Sequence, residues 1–130
     1  QYLEDCDVVV MPHPERSNII EEANVLLKWK PEQSQGIQEA ISYYYNEGYI
    51  PNDLYETKVL MRRNTEKIKE FNSLWWKEIQ THSIRDQISF PYISWKTKTF
   101  INTFPGNNSQ SEVRANWKNY IPYWEQVKRI

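Results

Sequence analysis

The triplet Arg85-Asp86-Gln87 brings together three side chains that can bind a hydroxyl-rich ligand, and an apolar run follows it. A carboxylate between a guanidinium and an amide offers both acceptors and donors within one turn of chain. Ser83 and Asp86 also have the spacing of a capping box, in which Asp86 would only stabilise a helix start by about 1 kcal/mol. The local sequence leaves the binding role and the capping role equally open.

A second polar group, His13 and Arg16, lies where an apolar, β-branched run over residues 7–14 gives way to a helical pattern. The run predicts a buried strand, and ligands of open α/β sheets bind beyond the strand ends. We therefore expect His13 and Arg16 to face a polar substrate, with the helix start helping to hold an anion. The alternative is a surface loop in which Glu15 and Arg16 face water.

Arg62 ends the second predicted strand, over residues 56–64, as His13 ends the first. An arginine in such a cleft can form two parallel hydrogen bonds to a diphosphate or a carboxylate. Side chains alternate along a strand, so only one of Arg62 and Arg63 can enter a given cleft. A solvated strand end is the alternative.

Two adjacent tryptophans, Trp75 and Trp76, lie on the third predicted helix and diverge by about 100° around its axis. Trp75 shares the apolar stripe of that helix. Core packing is the usual role of aromatics at this spacing, and we favour it for both rings. Trp76 is the one of the two that we also consider as a pocket-lining, substrate-binding residue.

Hydrophobic spacing predicts four helices. The first is capped by Ser17 and reaches about residue 29, and the second runs from Pro31 to a stop at Gly48. The third begins after Asn64 or Thr65. The fourth follows the capping-box motif, and its proline in the middle should kink or shorten it. That proline is Pro91, and the apolar stripe of the fourth helix consists of Ile88, Tyr92 and Trp95. The apolar stripe of the third helix consists of Ile68, Phe71, Trp75 and Ile79.

The order strand, helix, helix, strand, helix, helix places the chain in the α/β class, with few strands and several helices. Residues 99–104 are a candidate third strand, and residues 111–130 a candidate helix interrupted at Pro122. The first two predicted strands make only half of an α/β sheet. We therefore expect the chain to be a fragment or a processed product.

Composition excludes several classes of protein. The 130 residues fit one domain. The 16 basic and 17 acidic residues give a net charge of −1, so the chain lacks the excess of positive charge that is typical of nucleic-acid-binding proteins. Cys6 alone cannot form an internal disulfide, no zinc-ligand spacing occurs, and no apolar run approaches the roughly 20 residues of a membrane span. One cysteine fits a cytoplasmic protein.

From His13 to Phe90 the chain resembles the MUCI70/TOD1-type family of glycosyltransferase-like proteins, which includes plant hexosyltransferases and bacterial and viral relatives. The resemblance is carried by HPERSNIIEEA and by YETKVLMRRNTEKIKEFNSLWWKEIQTHSIRDQISF, at their observed spacing. It implies a GT-A-like fold for nucleotide sugars. Residues 1–96 would be the acceptor-side half of that domain and residues 97–130 a C-terminal extension of it.

The resemblance also implies roles for single residues. Asp86 would be the catalytic carboxylate near the transferred sugar, Gln87 would touch the same sugar or the acceptor, and Arg85 would orient them. His13 and Arg16 would line the same cleft. The partners would be a nucleotide sugar and a glycan, and plant-type relatives would sit in the Golgi lumen.

The nucleotide-binding half of such an enzyme normally precedes this segment and often holds Mn²⁺ or Mg²⁺ through an Asp-x-Asp motif after a strand. The only such letters here, Asp5 to Asp7, precede their strand. We therefore predict no metal ligand within the chain, a divalent cation held mainly by residues outside it, and a fragment that is inactive alone.

The main alternative is a non-catalytic carbohydrate-binding module, in which Trp76, Trp95 and the cluster Tyr43–Tyr45 stack on sugar rings. In that case substitutions of aromatic residues would matter more than substitution of Asp86. A single-strand nucleic-acid binder would also use aromatic stacking, but the balanced charge argues against it.

Overall fold

The computed structural model describes residues 6–104, which form a three-stranded sheet and four helices joined by short loops. The prediction of a helix over residues 111–130 lies outside the described residues. Along the chain the elements are β1 Val8–Pro12, α1 Ile19–Trp29, α2 Ser34–Asn46, β2 Tyr55–Arg62, α3 Glu66–Thr81, α4 Asp86–Lys96 and β3 Ile101–Thr103. The predicted α/β class is confirmed, and the candidate third strand is present as β3.

β1 is the central strand of the sheet, whose order is β2-β1-β3. It runs antiparallel to β2 and parallel to β3, so the sheet is mixed. Val8 and Val10 point into the main core beneath the helices, whereas Val9 and Met11 join a smaller cluster with Phe104 on the other face. Burial on both faces explains why this strand is uniformly apolar instead of alternating.

The pairing of β1 with β2 is interrupted by a bulge. Val10 lies opposite Leu60, but the next residue, Met11, lies opposite Glu56. Residues 57–59 of β2 therefore have no partner on β1. Bulges bend a strand and redirect its side chains, and here the displaced segment lies against the start of α4.

The helix starts agree only in part with the sequence. Thr65 caps α3, as one of the two predicted choices, and accepts a hydrogen bond from the Ile68 N–H. The prediction of Ser17 as the cap of α1 is wrong. Asn18 is the cap, and its Oδ1 accepts the Glu21 N–H at 3.0 Å, while the Glu21 carboxylate accepts the Ser17 N–H at 2.7 Å.

The second helix begins later than predicted, because Pro31 opens a single 3-10 turn and α2 starts at Ser34. Gly48 follows its end with φ +95°, a conformation that glycine adopts without strain, as the predicted stop requires. Near its start, Gly36 lies against the backbone of His82, so closely that a Cβ would clash there. The start of α2 therefore packs directly against the turn between α3 and α4.

The fourth helix continues through Pro91 to Lys96, so the expected shortening does not occur. Pro91 is buried and lies among the residues that α4 packs into the core. Proline has no N–H, so the Gln87 carbonyl lacks its usual helical donor. Within residues 6–104 no helix is long and apolar enough to cross a membrane.

Candidate active site

An open groove of about 380 Å³ lies between the bulge of β2 and the first turn of α4. We call it the α4 groove, and Glu56, Thr57, Lys58, Asp86 and Gln87 line it. It combines two carboxylates, one ammonium, one hydroxyl and one amide. Such a set can hydrogen-bond to several hydroxyl groups of a sugar and can stabilise charges of either sign.

Asp86 is not a helix cap, so the capping-box prediction is wrong. The cap position of α4 is Arg85, and Asp86 is the first helical residue. The Ser83 hydroxyl instead accepts the Arg85 N–H at 3.1 Å and so closes a short turn. In a capping box it would accept the N–H of the next residue, Asp86. The Asp86 side chain is exposed and has no hydrogen-bond partner among residues 6–104, so it is available to a ligand.

The three residues of the opening triplet therefore separate in space. Asp86 and Gln87 both line the α4 groove, whereas Arg85 is half-buried at the cap position and is not among the groove's lining residues. The substrate contacts predicted for Gln87 and Arg85 stay predictions. Of the two, only Gln87 has a side chain placed in the groove beside Asp86.

His13 and Arg16 lie at the end of β1 as predicted, but they contact each other and Glu22 more than they face solvent. The Arg16 Nε donates to the Glu22 Oε1 at 2.6 Å, and Glu22 is only 4% exposed. The His13 Nδ1 accepts the N–H groups of Glu15 and Arg16 at 3.2 and 3.1 Å. This cluster fastens the turn between β1 and α1, and its contact with substrate stays a prediction.

Hydrogen bonding also assigns the tautomer of His13. Because Nδ1 accepts two N–H groups, a neutral ring carries its proton on Nε2, which lies 3.7 Å from the Glu22 Oε1. Burial and the Arg16 guanidinium lower the pKa of His13, while Glu22 and Glu56 oppose that shift. Glu56, which lines the α4 groove, lies opposite Met11 of β1, two residues before His13.

Replacing His13 with Asn should make the unfolding free energy less sensitive to acid. The unfolded chain binds a proton at His13 near pH 6.5, but the folded chain binds it only at lower pH, so stability falls as the pH drops below about 6.5. The Asn Oδ1 can accept the same two N–H groups without titrating. Chemical denaturation at pH 7.5 and pH 5 should show that the variant loses less unfolding free energy between the two pH values than the wild type does. Equal losses would contradict the lowered pKa of His13.

Arg62 lies far from the residues with which the sequence grouped it. β2 runs antiparallel to β1, so Arg62 pairs with Val8 at the opposite end of the sheet from His13. Its Nη1 donates to the Asn72 Oδ1 at 2.8 Å. Arg62 and His13 therefore cannot share one cleft, because the ends of antiparallel neighbours lie at opposite edges of the sheet.

Trp75 and Trp76 differ as their angular separation predicts. Trp75 is buried and donates from Nε1 to the Ser89 Oγ at 2.9 Å, which joins α3 to α4. Trp76 is 62% exposed, so core packing is wrong for it, and it does not line the α4 groove. Its predicted contact with substrate stays a prediction.

Glu56 and Lys58 are groove residues that sequence reasoning missed. Lys58 lies four residues before Arg62, about 13 Å along an extended strand, and is the basic side chain that the groove contains. The bulge moves these residues toward α4. No local pattern in the sequence predicts a bulge between two paired strands.

Acidic, histidine and cysteine side chains are the usual protein ligands of metal ions. Within residues 6–104, no three of them are close enough together to hold an ion. Glu56 and Asp86 do share the groove, and Mg²⁺ is often held by one or two carboxylates together with phosphate oxygens. Within the α4 groove, these two carboxylates would be the side chains able to contribute to such a cation.

The family comparison matches nearly the whole chain. The model of the TOD1/MUCI70 glycosyltransferase-like domain covers residues 2–116. No curated protein and no solved structure has a significant match to the chain. The resemblance stated from the motifs is thereby confirmed at the level of the family.

Proposed function

This chain belongs to the TOD1/MUCI70 glycosyltransferase-like family, and we propose that it transfers a sugar from a nucleotide-sugar donor to a glycan hydroxyl. The sugar that we propose is a hexose. The observation that carries the proposal is the α4 groove, whose lining brings Asp86 and Gln87 together with Lys58. The Asp86 carboxylate has no hydrogen-bond partner among residues 6–104. Asp86 is the proposed catalytic residue, and Gln87 the residue that binds the sugar hydroxyls.

The chemistry is substitution at the anomeric carbon. An acceptor hydroxyl oxygen forms the new bond, the bond from the anomeric carbon to the diphosphate oxygen breaks, and the nucleoside diphosphate leaves with that electron pair. The acceptor hydroxyl loses its proton to a base or to solvent. Positive charge builds up on the ring during this step, and a fixed carboxylate beside the ring lowers the barrier.

In this arrangement the Asp86 carboxylate lies beside the anomeric carbon, where it favours the oxocarbenium-like transition state. Gln87 lines the same groove, and its side-chain amide oxygen offers a second electron-rich atom beside the sugar. Lys58 faces the leaving diphosphate and offsets part of its charge. Glu56 and Asp86 are the groove carboxylates that would help to hold a divalent cation, which would offset the remaining diphosphate charge. Most of its ligands would lie outside the described residues.

The proposed fold is GT-A-like, with residues 1–96 as the acceptor-side half and residues 97–130 as its continuation. Family membership supports this proposal, and so does β3, which adds a parallel strand to the sheet that β1 and β2 begin. The nucleotide-binding part would then be supplied by chain outside residues 6–104 or by a partner chain.

The experiment is calorimetric titration of the full natural protein with UDP-glucose, UDP-galactose, UDP-xylose and GDP-mannose in the presence of Mn²⁺. Donor hydrolysis is followed on the same samples by release of the nucleoside diphosphate. Binding and hydrolysis of one donor would support the proposal. Saccharide binding without binding or hydrolysis of any donor would overturn it in favour of a non-catalytic carbohydrate-binding domain.

A further inference from the structure

A second pocket, of about 510 Å³, lies beside the C-terminal half of α4. It is enclosed by the loop after α2, by that half of α4 and by the segment that leads into β3. We call it the Asp53 pocket. Its lining includes the polar residues Asn52, Asp53, Ser94 and Thr99 and the aromatic residues Tyr49, Tyr55, Trp95 and Phe100.

Asp53 supplies a fixed carboxylate in this pocket. The Tyr49 hydroxyl donates to its Oδ1 at 3.3 Å, and the Tyr55 hydroxyl donates to its Oδ2 at 3.0 Å. A carboxylate can accept about four hydrogen bonds, so acceptor capacity is left for a ligand on both oxygens. Asp53 is half-buried, and burial raises the pKa of its carboxyl group, while the hydrogen bonds from the two tyrosines oppose that shift.

An aromatic wall stands beside this carboxylate. The ring of Trp95 packs against Tyr49 and Tyr92, with centroid distances of 5.6 and 5.9 Å, and Tyr92 stacks on Tyr44 at 3.9 Å. Trp95 nevertheless stays 44% exposed. One side of the ring is held by the core while the rest is open to the pocket, so the ring is oriented before any ligand arrives.

Tyr49 connects the two features, because its ring contacts Trp95 and its hydroxyl contacts Asp53. Phe100 also lines the pocket and is 68% exposed. A sugar ring has an apolar face of C–H groups and an edge of hydroxyls. A rigid aromatic ring suits the face, and a half-buried carboxylate with an amide and hydroxyls suits the edge.

We infer that the Asp53 pocket binds one sugar unit of the acceptor glycan, with the sugar face on Trp95 and its hydroxyls on Asp53. This inference rests on the proposed function, because it assigns the acceptor side of the same reaction. The Asp53 pocket and the α4 groove share no lining residue.

The position of the pocket along α4 connects it to the groove. Gln87, Pro91 and Ser94 follow one another at helical spacing on one face, with Gln87 in the groove and the other two in the pocket. The distance from Gln87 to Ser94 along the axis is roughly 10 Å. A chain of a few sugar units seated on Trp95 can therefore place a hydroxyl beside Asp86.

Binding is tested on the full natural protein, without donor, by ligand-observed NMR. The probes are the methyl glycosides and the linear tetrasaccharides of glucose, galactose, mannose and xylose. We expect one series to bind, with affinity rising from the monosaccharide to the tetrasaccharide. Trp95→Ala and Asp53→Asn should each weaken that binding about ten-fold or more. Asp53→Asn keeps an oxygen for a tyrosine hydroxyl and therefore keeps the fold.

Trp29→Ala is the matched control, since Trp29 is 77% exposed at the end of α1 and lies outside the pocket. It should leave saccharide affinity unchanged. Equal binding by the wild type, Trp95→Ala and Asp53→Asn would overturn the inference. So would a concentration-dependent dimer that Trp95→Ala abolishes, because a second copy would then cover the pocket.

The two proposals fail in different ways. Donor hydrolysis without binding of any saccharide probe would overturn the acceptor site and leave the transferase assignment intact. Saccharide binding that depends on Trp95 and Asp53, without hydrolysis of any donor, would overturn the acceptor role together with the transferase.

Discussion

Asp86→Asn should lower the rate of donor hydrolysis and of sugar transfer about 100-fold or more, while the protein keeps its stability. The carboxylate is proposed to stabilise positive charge on the sugar ring, and removing one such electrostatic group from an active site costs this order of rate. Asp86 is exposed and unpartnered among residues 6–104, so its neutral isostere should change the unfolding free energy by less than about 0.5 kcal/mol. Initial rates with the identified donor and denaturation curves measure the two effects.

Glu66→Gln is the matched control for this variant. Glu66 is the first residue of α3, as Asp86 is the first residue of α4, and it is exposed. Both substitutions remove one charge at the positive end of a helix, which accounts for a few tenths of a kcal/mol in either case. If the two variants lose the same rate, or neither loses any, Asp86 is not the catalytic group.

Arg16→Met should reduce the unfolding free energy by about 2 to 3 kcal/mol, the largest stability effect that we expect. Removing one partner of a buried ion pair leaves the other charge without compensation, which costs about 3 to 5 kcal/mol when both are fully buried. The Glu22 side chain is 5% exposed, but that of Arg16 is 23% exposed, so part of the cost is relieved by water. Denaturant titration at pH 7 measures the difference.

A double-mutant cycle separates the ion pair from the packing of the arginine stem. Combining Arg16→Met with Glu22→Gln should be less destabilising than the sum of the two single effects, by about 1 kcal/mol or more. Glu15→Gln is the control, because Glu15 contacts the same guanidinium at 3.5 Å from an exposed position and should contribute little. Strict additivity of Arg16→Met and Glu22→Gln would show that the pair does not fasten the turn between β1 and α1.

The sequence was sufficient for features that depend on local chemistry. The uniformly apolar Val8–Met11 indicated a buried strand, the spacing of Ile68, Phe71 and Trp75 indicated the buried face of α3, and Thr65 has the side chain that a helix cap requires. Each of these patterns is set by neighbouring residues.

The sequence was insufficient where long-range pairing decides. Nothing within β1 or β2 specifies that they pair antiparallel, yet this alone moves Arg62 to the opposite end of the sheet from His13. The bulge that presents Lys58 and Glu56 to α4 is a property of two strands together. A site assembled by such a pairing becomes visible only when both strands are placed.

The start of α4 shows a third limit. Ser83 and Asp86 have capping-box spacing, but the Ser83 hydroxyl is already used by the Arg85 N–H, and the helix begins at Asp86 itself. The same four residues could form either a capping box or the turn that is observed. In the capping box Asp86 would have a structural role, whereas in the observed turn its carboxylate is available to a ligand.

The most direct test of the central claim is to locate the bound donor by NMR. UDP-glucose, UDP-galactose and GDP-mannose would be added with Mg²⁺ to the full natural protein, and the amide shifts of residues 6–104 would be followed. We predict that the donor that binds shifts the amides of Glu56, Thr57, Lys58, Asp86 and Gln87 most strongly, and that Asp86→Asn weakens those changes. Shifts confined to other parts of residues 6–104, with the α4 groove unaffected, would contradict the claim that this groove receives the transferred sugar.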